Sequence, residues 1–365
     1  MFVPGLYPLW SNATGGFAAA VAAAERANVA TVLVVGSTAD KTNPAGGREA
    51  HDRYSIALPG AQDALIVAVA AASRVPITLV VIGGGSLDLS AAKANPKVGA
   101  ILWCGYPGQS GGTGTYLPYF LLSFLPSLLT YLLLFYFTEA IAQTLWGVNN
   151  PSGRLTQTFY PRSFITKSNF MDYTMRPNAT TGYPGRGYRF YTGDAVYRFG
   201  AGLSFSKLTH HLFVATKGKN SELVLAASEV GRDARRSASA PHRAPLITRI
   251  TITSSFATSD DDVSMPPVQW QPHVVMLFVR CVVAESTKGV CDDAPLQRLV
   301  GFQRVILRRS SGGAAAHINV TAHHLVVVNN RGETNARPGS VWRFFVVNGQ
   351  GEEESGSSVS ITLRK

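Results

Sequence analysis

The sequence predicts an α/β region, a mainly parallel sheet with helices on both faces, followed by an all-β sandwich of immunoglobulin or fibronectin type. Short apolar runs alternate with helical stretches over residues 17–146, as in sheets built from βαβ units. From residue 245 onward, six or seven short alternating runs are separated by turn residues. The 365 residues are enough for two such domains.

The α/β region holds three continuous apolar runs of the kind found in strands buried on both faces. These predicted strands are 30–36, 76–82 and 98–104. An alanine-rich stretch predicts a helix over 17–28. A second helix is predicted over 59–73, because proline often opens a helix. A third is predicted over 138–146, with Thr138 as its N-cap and Gly147 past its end.

Between the two regions, residues 217–245 are polar and contain clusters of Arg, Ser and Ala. Such a composition is typical of a linker or a long surface loop. The predicted boundaries are therefore 17–208 for the α/β region, 209–244 for a linker or surface loop, and 245–365 for the β region.

The net charge of +11 does not indicate a nucleic-acid partner. It arises from 33 basic and 22 acidic side chains, which are spread evenly along the chain, whereas nucleic-acid footprints are clustered. The glycine loop at 83–86 follows a strand but lacks the spacing of a phosphate-binding motif. The histidines and cysteines show no zinc-ligand spacing. We therefore expect no nucleic acid, no metal and no cofactor.

Two features bear on the cellular compartment. Cys281 and Cys291 could form a disulfide if the protein is secreted, whereas Cys104 ends an apolar run and is expected to be a small core residue. Three N-x-[ST] sequons, which are also frequent by chance, are consistent with secretion. They begin at Asn12, Asn178 and Asn319. The N-terminus has no signal-peptide pattern.

One segment stands apart because residues 116–137 contain no charged side chain. By length and composition it could span a bilayer. A membrane-anchored protein built around this segment is therefore one alternative for the whole chain.

The loop after the first predicted strand carries Glu49, Asp52 and Arg53. A glutamate with charged neighbours in a cleft is a candidate acid/base. A solvated loop with a local ion pair is the simpler interpretation. A glycine-rich loop at 105–112 follows the third strand, at the edge where α/β sheets usually bind ligands.

Taken in order, the motifs of this chain resemble the C-terminal α/β sandwich of glycoside hydrolase family three, in its β-xylosidase branch. The motifs of the first region are EAHDR at 49–53, LPGAQ at 58–62, GGSLDLS at 84–90, ANPK at 94–97, AILWCGYPGQ at 100–109, NPSGRL at 150–155, MRP at 175–177, GYPGR at 182–186, YRFY at 188–191 and FGAGLS at 199–204. The tail also resembles the family, in VVMLFV at 274–279, PLQRLVGFQRV at 295–305 and RPG at 337–339.

The resemblance implies a retaining glycosidase acting on a β-linked oligosaccharide or xyloside. In this family the active site lies between a (β/α)8 barrel, which supplies an aspartate nucleophile, and the sandwich, which supplies a glutamate acid/base. Glu49 matches that glutamate in E-x-x-D-R, although Gly47 stands where the family often has a second acid. The resemblance also implies substrate contacts. These are expected at Arg53, Tyr106, Gln109 and Tyr183.

Two departures from the family shape the expectation for this chain. A (β/α)8 barrel needs about 250 residues, but only 16 residues precede Phe17. The nucleophile is therefore expected to be missing, and the chain alone to be inactive. For the full-length protein we expect an extracellular or secretory location.

The second departure is the apolar insertion 113–138, which interrupts a junction that is short in the family. One folded core cannot lie on both sides of a membrane, so a spanning role is disfavoured. Our hypothesis is that the segment is translated intron. A non-catalytic carbohydrate-binding module, with its surface around Tyr106, Gln109 and Tyr183, remains a further alternative.

Overall fold

The computed structural model describes ten stretches of the chain. They are 12–38, 52–107, 140–169, 171–214, 222–237, 245–256, 270–282, 289–308, 312–329 and 331–365. The chain divides into two compact units that interleave along the sequence. The first unit contains Met1–Leu145, Gln157–Tyr173 and Asp194–Tyr197, and the second contains Trp146–Thr156, Thr174–Gly193 and Arg198–Lys365.

The first unit is built on a three-stranded parallel sheet in the order β1-β2-β3. The strands are β1 (Thr31–Gly36), β2 (Ile77–Ile82) and β3 (Val98–Trp103). In the central strand β2, the side chains of Ile77, Leu79 and Val81 are fully buried, as expected for a strand with neighbours on both sides. Each strand lies within the apolar run that predicts it.

Among the residues that the structure describes, five helices belong to this unit. They are α1 (Phe17–Arg26), α2 (Gln62–Ala72), α3 (Ser90–Ala94), α4 (Ala140–Leu145) and α5 (Ser163–Lys167). Helix α2 buries Leu65, Ile66 and Val69, which recur at the spacing of one helical face. It ends where Ser73 turns extended and its hydroxyl donates to the carbonyl of Val75 over 2.7 Å.

The described part of the second unit has ten strands. They are β4 (Leu208–Val214), β5 (Glu222–Ala226), β6 (Leu246–Phe256), β7 (Trp270–Val282), β8 (Arg298–Arg308), β9 (Ala314–Thr321), β10 (Val327–Val328), β11 (Thr334–Asn335), β12 (Val341–Val347) and β13 (Glu353–Arg364). A five-stranded sheet has the order β5-β13-β12-β7-β8, and a three-stranded sheet has the order β4-β6-β9. Pairing is antiparallel except between β5 and β13. The short strands β10 and β11 pair separately.

The core of this unit lies on the faces that these strands bury by alternation. Ile250 and Ile252 of β6, Val275 and Leu277 of β7, and Phe344 of β12 belong to one apolar cluster and are all buried. Period-two alternation places such residues on the same side of each strand. The helices of this unit are α6 (Gly187–Phe190) and α7 (Ala227–Arg236), with a 3-10 turn at Ala322–Leu325.

The prediction of a linker or surface loop over 209–244 is wrong for the residues that the structure describes. Strand β4 pairs with β6, and β5 pairs with β13. Helix α7 buries Ala227, Val230, Gly231 and Ala234. Its exposed positions carry Ser228 and the charged side chains of Glu229, Arg232, Arg235 and Arg236. The segment contains many charged residues and alanines, so its composition alone did not indicate this narrow apolar helix face. Residues 215–221 and 238–244 lie outside the described part, and the other boundaries stay predictions.

The architecture thus agrees with an α/β region followed by a β-rich region. Cys281 and Cys291 form a disulfide, with 5.7 Å between their Cα atoms. Cys104 is free and half-buried, and burial raises the pKa of its thiol. The insertion 113–138 lies outside the described residues. Within the described ranges, no helix has the length and apolar character needed to cross a membrane.

Candidate functional site

The candidate site lies at the carboxyl edge of the parallel sheet, where the chain leaves β1, β2 and β3. Parallel strands bring these ends together, and ligands of α/β proteins usually bind there. The segment after β2 is the loop 83–86, which carries three glycines and Ser86. We call it the glycine loop. Two of the residues predicted to bind substrate contact it.

Arg53 is the first of these residues. Its Nη2 donates a hydrogen bond to the backbone carbonyl of Ser86 over 3.1 Å. A Cβ on Gly85 would lie 2.9 Å from the same nitrogen, so the guanidinium passes close to a residue without a side chain. Burial lowers the pKa of Arg53, and the charge interaction with Tyr106 raises it in part. The guanidinium therefore has a fixed position and is partly withdrawn from water.

Tyr106 is the second, and it leaves the sheet after β3. A Cβ on Gly84 would lie 2.4 Å from Cε2 of its ring, so the ring and the glycine loop approach each other more closely than a side chain permits. The ring is still 53% exposed. A half-exposed aromatic face on a fixed support is suited to stack against the apolar face of a sugar ring.

The backbone of Gly83 holds the glycine loop to the end of β3. Gly83 N donates to the carbonyl of Gly105 over 3.0 Å, and Trp103 Nε1 donates to the carbonyl of Gly83 over 2.8 Å. The N–H and the carbonyl of the buried residue Gly83 are thus both hydrogen-bonded, as buried backbone requires. The loops after β2 and β3 consequently form one support.

Asp88 connects this support to further segments of the same unit. Its Oδ1 accepts from Ser90 N and its Oδ2 from Arg162 N, each over 3.0 Å. Asp88 N donates to the carbonyl of Ile56. Since Asp88 is 9% exposed and its carboxylate accepts two backbone N–H groups, it holds these loops together. Sequence reasoning missed this role, although Asp88 lies inside the GGSLDLS motif.

Two of the predicted site residues lie outside the described residues. They are Glu49, the predicted acid/base, and Gln109. The structure thus brings together Arg53 and Tyr106 from the predicted set, through the glycine loop. The roles assigned to all four substrate contacts, and to Glu49, stay predictions.

Tyr183 belongs to the second unit. It is only 5% exposed. Its hydroxyl donates to the carbonyl of Thr174 over 2.9 Å and accepts from Arg186 Nε over 2.6 Å. In this structure the phenol therefore fixes the loop around it.

The second unit also contains a buried polar cluster that sequence reasoning missed. His210 Nδ1 lies 2.6 Å from Glu354 Oε2, and His210 Nε2 lies 3.0 Å from His273 Nε2. Burial, followed by the charges of Arg154 and His210, lowers the pKa of His273 to about 3. Within the described ranges, no group of three His, Cys, Asp or Glu side chains is arranged to hold a metal ion.

Comparison with known proteins shows the family to which the chain belongs. Residues 11–205 match the family described as the glycosyl hydrolase family 3 C-terminal domain. Beta-xylosidase/alpha-L-arabinofuranosidase 2 of Medicago sativa subsp. varia is 41% identical over 186 residues, which are 51% of this chain and 20% of the relative. Beta-D-xylosidase 3 of Arabidopsis thaliana is 32% identical over 314 residues, which are 83% of this chain and 34% of the relative.

A solved structure shares the fold. It is the GH3 exo-beta-xylosidase XlnD in complex with a xylobiose aziridine activity-based probe. The TM-score is 0.72 at 24% identity, and the superposition covers 100% of this chain and 39% of that protein. The chain thus spans between 20% and 39% of the length of these proteins. Because the family match extends over more than half of its residues, the chain belongs to the glycosyl hydrolase family 3 C-terminal domain family.

Proposed function

We propose that the chain is the C-terminal part of a retaining, exo-acting β-glycosidase, a β-xylosidase that removes terminal β-linked sugars in xylan and hemicellulose breakdown. The observation that carries the proposal is the convergence of Arg53 and Tyr106 on the glycine loop, at the edge where α/β sheets bind ligands. The family match and the relatives named β-xylosidases support it.

Glu49 is the proposed acid/base. It precedes Arg53 by four residues in the E-x-x-D-R motif, and Arg53 has a fixed place at the sheet edge. A retaining mechanism needs two carboxyl groups about 5–5.5 Å apart. One attacks the anomeric carbon, and the other protonates the leaving oxygen and then deprotonates the attacking water. Glu49 would perform the second role, and an aspartate of a (β/α)8 barrel the first.

The proposed substrate contacts supply different kinds of interaction with the sugar. Arg53 supplies a guanidinium donor, and Tyr106 supplies a half-exposed ring that can stack on a sugar. Gln109, and separately Tyr183 of the second unit, are proposed as substrate contacts from the family resemblance alone. No metal or cofactor takes part in this chemistry, because both steps need only carboxyl groups and water.

The nucleophile would come from outside these residues, so the 365-residue chain alone is proposed to be inactive. Incubation of the purified chain with an aryl β-xyloside should give no hydrolysis above background. Turnover at the rate of a complete β-xylosidase would overturn the claim that the nucleophile is missing. Xylo-oligosaccharide binding without turnover, even in a protein that carries the barrel, would instead favour the carbohydrate-binding alternative.

The role of Glu49 is tested in the longer protein that carries the barrel. Glu49→Ala should abolish hydrolysis of xylobiose. For aryl xylosides with good leaving groups, which need little protonation, it should spare cleavage of the glycosidic bond but slow hydrolysis of the glycosyl-enzyme, which needs the base. With these aryl xylosides, added azide needs no base and should therefore restore turnover and give a β-xylosyl azide. Glu25→Ala, at an exposed position of α1, is the matched control and should leave activity unchanged. Unchanged activity of Glu49→Ala would refute the acid/base role.

The finer fold assignments belong to the same proposal. We propose that the parallel sheet carries helices on both faces and that the region 245–365 is a fibronectin type III-like sandwich. The alternation of strands β6 to β9 and the solved relative of the same fold support this. We also propose an extracellular or secretory location for the full-length protein, since disulfides such as Cys281–Cys291 persist in oxidising compartments.

For residues 113–138 we propose translated intron. Sequencing of the transcript tests this directly. A message that contains these codons in frame in most copies would refute it. Carbonate extraction of membranes would then test the remaining alternative, an anchor at 116–137.

A further inference from the structure

The three N-x-[ST] sequons lie in different local structures, and these structures indicate which of them can be glycosylated. Asn178 lies at the start of a small exposed turn, Asn319 lies inside strand β9, and Asn12 lies before helix α1. We propose that Asn178 is a site of N-linked glycosylation and that Asn319 is modified far less. The inference rests on the proposed secretory location.

The turn that begins at Asn178 presents its side chain to solvent. Asn178 N donates to the carbonyl of Tyr183 over 2.9 Å, and the two residues form an isolated antiparallel bridge. The residues between them form a turn, and 178–182 are all exposed. A branched oligosaccharide attached to the exposed Asn178 side chain would extend into solvent without displacing a buried group of this turn.

Hydrogen bonds hold the Asn178 side chain in an orientation that leaves its Nδ2 accessible. Asn178 Oδ1 accepts from Thr180 N over 2.9 Å and from Thr181 N over 3.4 Å. This local turn fixes the amide through its oxygen. It leaves Nδ2, the atom that forms the bond to the sugar, without a hydrogen-bond partner among the described residues. The third residue of the sequon, Thr180, is exposed as well.

The sequon at Asn319 is constrained in a different way. Its Oδ1 accepts from Arg249 Nε of the neighbouring strand over 3.1 Å. The next residue, Val320, is fully buried. The side chain of Thr321 is engaged with His324 in a capping box. An extended strand cannot form the turn seen at Asn178, so folding of β9 removes this sequon from an acceptor conformation.

The reaction is a glycosyl transfer from a lipid-linked oligosaccharide pyrophosphate. A bond forms between Nδ2 of Asn178 and the anomeric carbon of the donor sugar. The bond between that carbon and the pyrophosphate oxygen breaks, and one proton leaves Nδ2. Nothing is oxidised or reduced.

The test uses the full 365-residue chain, expressed behind a cleavable secretion leader in a eukaryotic host. Glycan occupancy is measured at each sequon by enzymatic removal of the glycan in heavy-oxygen water, which marks the former glycosylation sites in a peptide digest. We expect the mark at Asn178 in most molecules and at least several-fold less at Asn319. Enzymatic removal of the glycan at Asn178 should increase the gel mobility of the chain by the amount that corresponds to one N-linked glycan.

Two matched variants isolate the site. Thr180→Ala should remove that mobility shift while leaving the Asn178 side chain in place, and Thr180→Ser should keep it, since serine also completes the sequon. An unmodified Asn178 in secreted protein, or higher occupancy at Asn319, would overturn the proposal. Protease protection in microsomes of cells that express the natural gene separately tests the secretory location. Chains that remain unprotected there would refute the location but not the geometry found with the leader.

Discussion

The side-chain amide of Gln62 forms two hydrogen bonds with the backbone of Gly36. Gly36 N donates to Oε1 over 2.7 Å, and Nε2 donates to the carbonyl of Gly36 over 2.8 Å. Gly36 ends β1, and Gln62, which is 1% exposed, begins α2. One buried side chain therefore connects the first strand to the helix that follows it.

The first prediction concerns this connection. Gln62→Leu keeps the helix and much of the volume but leaves the Gly36 N–H and carbonyl without their partner. Each unsatisfied buried polar group costs about 1–3 kcal/mol. We expect the free energy of unfolding to fall by about 2–4 kcal/mol, measured by urea denaturation.

The neighbouring residue supplies the control. Asp63 pairs with Arg162 over 3.1 Å at an exposed position, and exposed ion pairs contribute less than about 1 kcal/mol. Asp63→Asn should therefore change the stability little. Equal losses in the two variants would show that the contacts to Gly36 do not stabilise the unit.

The second prediction concerns the close approach of Gly84 and Tyr106. Gly84→Ala would place a methyl group 2.4 Å from the Tyr106 ring. Because the ring is half-exposed, it can move, so we expect a stability loss of only about 1 kcal/mol. In the protein that carries the barrel, the displaced ring should raise KM for xylosides more than it lowers kcat. Steady-state kinetics and thermal unfolding give the two quantities.

Gly15→Ala is the matched control, because no atom lies within 4 Å of the Cβ that it would add. It should leave KM and the melting temperature unchanged. If Gly84→Ala also leaves KM unchanged, Tyr106 does not contact the sugar.

The parallel sheet could be predicted from the sequence almost to the residue. Its strands are continuous apolar runs bounded by turn residues, so the local signal is strong. Strand β5 could not be predicted, because its partner is remote and Leu223 pairs with Ile361. Register over such a distance depends on the folded core and not on the local pattern.

The candidate site was predictable only in part. The resemblance indicated Arg53 and Tyr106, yet the reason for the glycines at 84 and 85 is their close approach to these two side chains. The contacts of Arg154 could not be predicted from the sequence either. Its guanidinium is engaged by carbonyls of distant segments, at Gly200, Gly202, Val274 and Asn348.

The third prediction concerns acid sensitivity. The pKa of His273 is lowered to about 3 in the native state, first by burial and then by Arg154 and His210. In the unfolded chain its usual value of 6.5 applies. Between pH 6.5 and 3 the unfolded chain therefore binds more protons than the native chain. The stabilisation that depends on neutral His273 is thus fully present above pH 6.5, and the free energy of unfolding falls as the pH decreases below that value. The two pKa values differ by about 3.5 units, so at about 1.4 kcal/mol per unit the full loss by pH 3 is about 5 kcal/mol.

This dependence is measured by urea unfolding at several pH values from 7.5 down to 4. His273→Gln should make the free energy of unfolding depend less on pH, even if it lowers that free energy at pH 7.5. Part of the slope should remain, because burial also lowers the pKa of His324 to about 4. His211→Gln, at an exposed position of β4, is the control. The prediction is wrong if His273→Gln and His211→Gln have the same slope as the unmodified chain.

The fourth prediction concerns the disulfide between Cys281 and Cys291, which closes a short loop after β7. A cross-link limits the conformations of the unfolded chain, and for a loop of this size the gain is about 2–3 kcal/mol. The double variant Cys281→Ser and Cys291→Ser should therefore lose that much free energy of unfolding, and dithiothreitol should destabilise the unmodified chain by a similar amount. It should have no effect on the double variant, whose remaining thiol is Cys104. An equal effect of dithiothreitol on both proteins would show that the stabilisation does not come from this bond.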